Sequence, residues 1–189
     1  MALSTNDLKN GMTLLLPDGL FQVVEFQHVK PGKGGAFVRT KLRNVRNGAV
    51  LEKTFRADEK VEQAVIDKRE MQMLYKEAGG EYVFMDNETY DQMHVPGNAL
   101  GDATGYLKDG DGVVLQMYGT EIVGVDLPAA VELEVTYTEP GLQGDRSSAG
   151  RKPATVETGV TVQVPLFVNI GDRIKVDTRS GDYITRVGG

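Results

Sequence analysis

Residues 30–48 read KPGKGGAFVRTKLRNVRNG and combine a glycine-rich loop, a strand pattern and a hairpin turn. Lys33 is flanked by glycines and follows a proline, and these residues form turns that leave it no neighbouring side chain to pack on. Apolar and basic residues then alternate over residues 37–45, and this period of two predicts a strand. Asn47-Gly48 accepts positive φ and predicts a hairpin that returns through residues 49–55.

The residues before this segment predict another hairpin. Apolar stretches lie on either side of Pro17-Asp18-Gly19, and the second of them covers residues 20–26. A polar stretch at residues 56–62 follows the return strand. About five strands in some sixty residues are typical of a small closed barrel of the SH3-like kind.

Further turns and hairpins follow in the next part of the chain. Residues 71–75 and 82–85 are strand-like and flank Gly79-Gly80, which predicts a second hairpin unit. Asp86 then stands where it can cap a short helical turn. The DGDG sequence at residues 109–112 lacks the other oxygen ligands of an EF-hand, so we interpret it as a turn between strands.

The second half of the chain contains a weak internal repeat. Residues 106–125 align with residues 167–187 when one residue is inserted in the second turn. Such a match is typical of two successive barrels of one type, and Leu127-Pro128 forms a short, stiff boundary. We therefore predict an all-β chain of three consecutive small β-barrels. Their predicted bounds are residues 1–64, 65–127 and 128–189.

The charges are segregated along the chain. The protein has a formal net charge of -6, yet residues 28–46 hold six Lys or Arg and no acidic residue. Residues 1–64 carry a net charge of +3, and residues 65–189 carry -9. A basic patch on an acidic protein indicates a local polyanionic partner. The alternative is a solvated sheet edge that basic side chains guard against aggregation.

Five basic residues define the predicted contact with RNA. The period of two places Arg39, Lys41 and Arg43 on one face of the predicted strand, and Lys30 and Arg46 lie on either side. We expect these residues to hold backbone phosphates without reading sequence.

A long polar loop covers residues 139–153 and contains Arg146, Arg151 and Lys152. Loops of this length are usually either functional or disordered. Its glycines and basic groups suit contact with a phosphate backbone, and a flexible loop is the alternative.

The composition excludes several kinds of chemistry. The chain has no Cys, so it has no disulfide, thiolate nucleophile or Cys-based zinc site. His28 and His94 are far apart in the sequence, and we expect each to be a surface or hydrogen-bonded histidine and not a metal ligand. The sequence shows neither an apolar run that could span a bilayer nor a signal-peptide pattern, so we expect a cytoplasmic protein with no membrane partner.

Lys33 does not fit the two enzymatic roles that its surroundings suggest. A phosphate-binding P-loop needs a Gly where this chain has Gln27 and a Ser or Thr where it has Gly34. A Schiff-base lysine needs desolvation, which an exposed, glycine-flanked tip does not provide. We therefore predict that the protein is not an enzyme. A general single-stranded nucleic-acid binder is an alternative, but residues 65–189 are acidic and have few clustered aromatic side chains for base stacking.

Four motifs resemble those of bacterial translation elongation factor P. They are KPGKG at residues 30–34, FMD at residues 84–86 with Thr89-Tyr90, Gly144-Asp145, and the highly specific KPATVETGVTVQVPLFV at residues 152–168. The resemblance covers the whole chain. It implies an SH3-like (KOW-like) barrel followed by two OB-fold barrels, with an elongated shape that mimics a transfer RNA. A paralogue of the same fold with a different stalling specificity is an alternative.

The resemblance also implies a function. Members of this family bind the 70S ribosome between the P and E sites and stimulate peptide-bond formation at consecutive prolines by positioning the P-site peptidyl-tRNA. The implied partners are therefore ribosomal RNA, the peptidyl-tRNA and the E-site mRNA codon. We expect a monomer that uses no cofactor.

Residue by residue, Lys33 matches the tip lysine that approaches the CCA end of the P-site tRNA. This lysine is covalently extended in many members, so Lys33 is a candidate for a lysine-modifying enzyme. Gly144-Asp145 matches the loop that faces the E-site codon, and Arg146 stands there in place of a common Thr. The residues that match the support of the tip are Lys30, Pro31, Gly32, Gly34 and Gly35, the last of which replaces a bulkier residue or a proline in many members.

Overall fold

The computed structural model describes residues 1–141 and 150–188, and this part of the chain is built almost entirely of strands. The predicted all-β class is confirmed. The strands are β1 (Ala2–Ser4), β2 (Thr13–Leu16), β3 (Gly19–Val29), β4 (Phe37–Asn44), β5 (Val50–Arg56), β6 (Lys60–Ala64), β7 (Asp67–Lys76), β8 (Glu81–Asp86), β9 (Gln92–Pro96), β10 (Gly112–Tyr118), β11 (Glu121–Asp126), β12 (Ala130–Thr138), β13 (Arg151–Val156), β14 (Thr161–Pro165), β15 (Arg173–Asp177) and β16 (Tyr183–Val187). The helical segments are short 3-10 helices at Thr5–Asp7 and Gly101–Tyr106 and one α-helical turn, α1, at Gly97–Leu100.

The first sheet is antiparallel and has the strand order β1-β6-β2-β3-β4-β5. It contains both predicted hairpins, β2–β3 and β4–β5. The alternation in β4 buries Val38, Thr40 and Leu42, as its period of two predicts. These side chains face a core whose other members include Leu14, Phe21, Phe55 and Val61.

Two features of this sheet differ from the prediction. The stretch 56–62, interpreted as polar, overlaps β6, which pairs with both β1 and β2. A short strand of mixed composition gives little periodic signal, so β1 and β6 were missed. The β4–β5 connection is also longer than a two-residue turn, because Asn44 N donates to Ala49 O at 2.8 Å and only Gly48 of the Asn-Gly pair has positive φ.

A bulge in β3 lets the β3–β4 pair continue beyond the core. The register with β4 shifts between Val23 and Glu25, so the inward side changes from odd-numbered to even-numbered residues. The ladder runs from the Phe21–Asn44 pair at one end to the Val29–Phe37 pair at the other. The segment with Lys33 joins the two strands at this second end.

The second and third sheets share one topology. Their strand orders are β11-β10-β7-β8-β9 and β16-β15-β12-β13-β14, which are the same order when each set is numbered from its own first strand. The β10–β11 and β15–β16 hairpins correspond to the two halves of the internal repeat. A core of aliphatic side chains lies in the third sheet, with Leu133, Val135, Val164 and Ile174 fully buried.

Two predicted turns take a different form from the expected one. Asp86 caps a turn, not a helical segment: its Oδ1 accepts hydrogen bonds from Glu88 N at 2.8 Å and Thr89 N at 3.1 Å, and Tyr90 has a φ of 62°. The Asp109-Gly110 turn connects a 3-10 helix to β10 and does not join two strands.

The chain divides into two compact units, which are Met1–Lys68 with Gln116–Gly124, and Arg69–Leu115 with the residues from Val125 onward. The three predicted domain bounds stay predictions. In the described part of the chain, every helical segment is too short to cross a membrane.

Candidate functional site

Lys33 lies in an exposed loop at the end of the β3–β4 ladder. Gly32, Lys33, Gly34 and Gly35 are all exposed. A Cβ built on any of the three glycines would meet no described heavy atom within 4 Å, so these glycines have open space around them. Gly34 has a φ of 100°, a conformation that side chains disfavour, and this explains a glycine directly after the lysine.

The stem of the loop is anchored although its tip is free. Pro31 is half-buried, and Ala36 O accepts a hydrogen bond from Ala57 N at 3.0 Å. Inside the sheet, the buried Thr40 donates from Oγ1 to Lys53 O at 2.6 Å. The arrangement therefore presents the Lys33 ammonium group in solvent on a rigid base.

The basic side chains of β4 share the outer face of the sheet, as predicted. Arg39, Lys41 and Arg43 are exposed, whereas the residues between them are buried. The neighbouring strands, however, place Glu25 and Glu52 directly across from Lys41. Cross-strand neighbours of opposite charge attract each other, so part of the charge of Lys41 is offset within the sheet.

The two arginines of β4 have no acidic cross-strand partner. Arg39 stands between Gln27 and Thr54, and Arg43 stands between Gln22 and Val50. Glu52 is a diagonal neighbour of both arginines and Glu25 of Arg39, so their charge is offset less directly than that of Lys41. Sequence reasoning treated all three basic residues alike, because the acidic side chains come from strands that are distant in sequence.

Arg46 has a partner that the sequence did not indicate. Its Nε lies 2.8 Å from Glu121 Oε1 and its Nη2 lies 2.8 Å from Glu121 Oε2. These hydrogen bonds raise the pKa of Arg46 and lower the pKa of Glu121 from their ordinary values. Glu121 takes two of the five N–H donors of the guanidinium group, and the predicted phosphate contact of Arg46 stays a prediction.

Two more predicted residues near the loop, Lys30 and His28, both lie at the surface. Lys30 is exposed beside the loop. His28 is exposed and meets Phe26 edge to face, with ring centroids 5.6 Å apart, which confirms its predicted surface position.

The predicted codon-side residues Gly144, Asp145 and Arg146 lie outside the described residues. At the edge of the same polar loop, Lys152 is buried, and its Nζ donates to Glu139 O at 2.5 Å. Lys152 is therefore not the free phosphate contact that the composition of the loop suggested.

Among the described residues, Glu77, Glu81 and His94 form a group whose residue types can bind a metal ion. His94 Nδ1 lies 3.4 Å from Glu77 Oε1 and 3.7 Å from Glu81 Oε2. All three side chains are at least partly exposed. The contacts of His94 with the two carboxylates account for this geometry without an ion, and we assign no metal to it.

Comparison with known families covers nearly the whole chain. Residues 4–61 match the elongation factor P KOW-like domain, residues 66–125 match the elongation factor P OB domain, and residues 131–186 match the C-terminal domain of elongation factor P. The chain belongs to the elongation factor P family. This confirms the resemblance that the motifs predicted, together with the KOW-like and OB folds.

Curated relatives of the family are similar over their full length. The chain is 58% identical over 183 residues to elongation factor P of Acidothermus cellulolyticus, with 97% of each chain covered. It is 60% identical over 183 residues to elongation factor P of Salinispora arenicola, with 97% of this chain and 98% of the relative covered.

Solved structures of initiation factor 5A are similar to about two thirds of this chain. Eukaryotic translation initiation factor 5A from Methanococcus jannaschii is 25% identical, with a TM-score of 0.53 over 68% of this chain and 92% of that one. A translation initiation factor eif-5a family protein from Naegleria fowleri, at 16% identity and a TM-score of 0.56, shows likeness of fold alone.

Proposed function

We propose that this protein is an elongation factor that binds the 70S ribosome between the P and E sites and stimulates peptide-bond formation at consecutive prolines. Membership of a translation factor family supports the general role. The observation that carries the specific role is the exposed Lys33, which stands alone in a glycine loop at the end of a rigid ladder. Such a group can enter a narrow RNA site that a folded barrel cannot enter.

The proposed mechanism is positioning, with the ribosome supplying the chemistry. Proline is a constrained secondary amine, so its reaction depends strongly on how the two reacting ends are aligned. Holding reactants in a reactive geometry reduces the entropic part of the barrier. Lys33 would hold the CCA end of the P-site peptidyl-tRNA through contacts to phosphates or sugars.

The expected electrostatic gain is sufficient for such an effect. A charge pair at about 4 Å is worth roughly 1 kcal/mol in water and about 4 kcal/mol at an effective dielectric constant of 20. A tenfold change in rate requires about 1.4 kcal/mol. A single ammonium group in a partly dehydrated RNA site therefore accounts for a change in rate of at least this size.

The outer face of the first sheet would contact ribosomal RNA. Arg39 and Arg43 have no acidic residue directly across from them, and Lys30 lies close to the loop in sequence. These side chains would hold phosphates without reading sequence. The contact of Gly144, Asp145 and Arg146 with the E-site codon is proposed from the family resemblance.

Lys33 is also proposed as a site of modification. Its exposure and the small residues around it give a lysine-modifying enzyme room to reach the Nζ atom. An extended side chain would reach further into the RNA site from the same base. Intact mass measurement of the protein from its own host, followed by peptide mapping of residues 30–48, tests this proposal.

The proposed function is tested by translation of a Pro-Pro-Pro reporter in a reconstituted system. Lys33→Ala should abolish the stimulation and leave ribosome affinity within about twofold, since one contact among many is lost. Lys60→Ala, which removes an exposed lysine of β6, is the matched control and should retain the stimulation. Full rescue by the Lys33→Ala protein would show that the tip lysine does not carry the function.

A further inference from the structure

Arg46 and Glu121 form a two-pronged ion pair within the first compact unit. Two parallel hydrogen bonds join two planar groups, so the pair fixes an angle as well as a distance. The base of the arginine is also held, because Asn44 Oδ1 accepts a hydrogen bond from Arg46 N at 2.9 Å. This bond orders the backbone from which the arginine side chain starts.

The partner carboxylate belongs to the β10–β11 hairpin. Residues 116–124 of this hairpin group with the N-terminal residues in the first unit. A small apolar cluster joins them, in which Leu20, Ala64 and Val123 are buried. Val45, Ile66 and Tyr118 pack against this cluster, and because apolar contact is non-directional, it constrains the angle of the hairpin less than a hydrogen-bonded pair does. The ion pair adds a directional constraint.

The ion pair lies at the end of the β3–β4 ladder that is opposite to Lys33. Leu20 is the second residue of β3, and Arg46 follows β4 by two residues. Lys33 lies beyond the Val29–Phe37 pair at the other end. The ladder between them is about 25 Å long, so a tilt of about 5° at the fixed end moves the far end by about 2 Å.

We propose that Arg46 and Glu121 are positioning residues that set the direction in which the ladder presents Lys33. This inference rests on the proposed function. Catalysis by alignment is sensitive to displacements of about 1 Å, which can change a rate by about a hundredfold. In this proposal the pair controls the rate through the geometry of the tip, without a contact to RNA of its own. Arg46 is exposed like Arg39 and Arg43, but in this proposal it acts through its contact with Glu121 and not through RNA.

The test measures ribosome affinity and the rate of Pro-Pro bond formation at saturating factor. Arg46→Glu should lower the saturating rate by about tenfold or more while affinity changes by about twofold or less. Combining Arg46→Glu with Glu121→Arg exchanges the charges and restores an ion pair with two parallel hydrogen bonds. This double variant should recover most of the rate. Glu62→Gln is the control, since Glu62 pairs with the N-terminal amine and is 52% exposed, against 45% for Glu121.

Three results would overturn the inference. The first is a saturating rate that Arg46→Glu leaves unchanged. The second is a charge-exchanged variant that remains as impaired as Arg46→Glu, because this would place Arg46 in direct contact with RNA. The third is a loss of affinity with no loss of saturating rate. Wild-type protein and Lys33→Ala are measured in parallel, because rescue by Lys33→Ala would overturn the proposed function itself.

Discussion

Asp111 and Asp172 occupy the same position in two copies of one turn. Asp111 Oδ2 accepts a hydrogen bond from Lys108 N at 2.9 Å, and Asp172 Oδ2 accepts one from Asn169 N at 2.8 Å. In each copy the glycine before the aspartate donates to the first strand of its sheet, to Met73 O in one and to Val135 O in the other. The carboxylate closes the turn, and the glycine NH joins it to the sheet.

This relationship predicts a loss of stability in Asp111→Ala. The Lys108 NH would lose its acceptor, and a lost bond of this kind is expected to lower the free energy of unfolding by about 1 kcal/mol. Urea unfolding followed by circular dichroism measures the change. Asp109→Ala is the control, because this neighbouring aspartate is exposed. Equal stability of the two variants would contradict the role of the turn.

A second prediction concerns Gly105, which lies in the 3-10 helix at Gly101–Tyr106. A Cβ at this position would lie 2.5 Å from Val160 Cγ2. Gly105→Ala should therefore lower the free energy of unfolding by about 1–3 kcal/mol, the range for overpacked sites. Adding Val160→Ala removes the clashing methyl groups and should recover part of the loss relative to Val160→Ala alone. Simple additivity of the two losses would exclude a direct clash.

A third prediction follows from the pKa of Asp86. The backbone NH groups of Glu88 and Thr89 hydrogen-bond to its carboxylate and, with the charge of Arg69 nearby, hold this pKa below its usual value. A depressed pKa in the folded state stabilises the protein above the unfolded-state pKa of about 3.9. This stabilisation is lost as the pH falls through the folded-state pKa.

Asp86→Asn tests this pH dependence because the amide oxygen can still accept both hydrogen bonds but does not titrate. The variant should lose stability less steeply than wild type between about pH 4 and lower values. Urea midpoints over this range measure the slope, with Asp102→Asn, which changes an exposed aspartate, as the control. Identical slopes for Asp86→Asn and wild type would remove Asp86 from the acid response.

Local patterns in the sequence predicted which side chains of the site are exposed. They did not predict which residues lie next to those side chains. The exposure of Lys33 and the outward arginines of β4 follow from glycine content and a period of two, which nearby residues determine. The partners of the same charges could not be predicted. Glu25, Glu52 and Glu121 reach Lys41 and Arg46 only through strand register and packing, and a single sequence does not specify either. The strands β1 and β6 were missed for a related reason, since their pairing joins residues that are distant in the chain.

The last prediction distinguishes the three basic residues of β4 by how much each contributes to ribosome binding. Arg39→Gln and Arg43→Gln should each weaken ribosome binding and reduce the slope of log affinity against log salt by about 1, because each removes one phosphate contact. Lys41→Gln should have a smaller effect, because Glu25 and Glu52 face Lys41 from both sides and offset its charge. Affinity measured at several salt concentrations provides both quantities, and the three variants serve as controls for one another. Equal effects of all three would mean that the acidic neighbours do not modulate Lys41 and that the whole strand acts as one uniform basic surface.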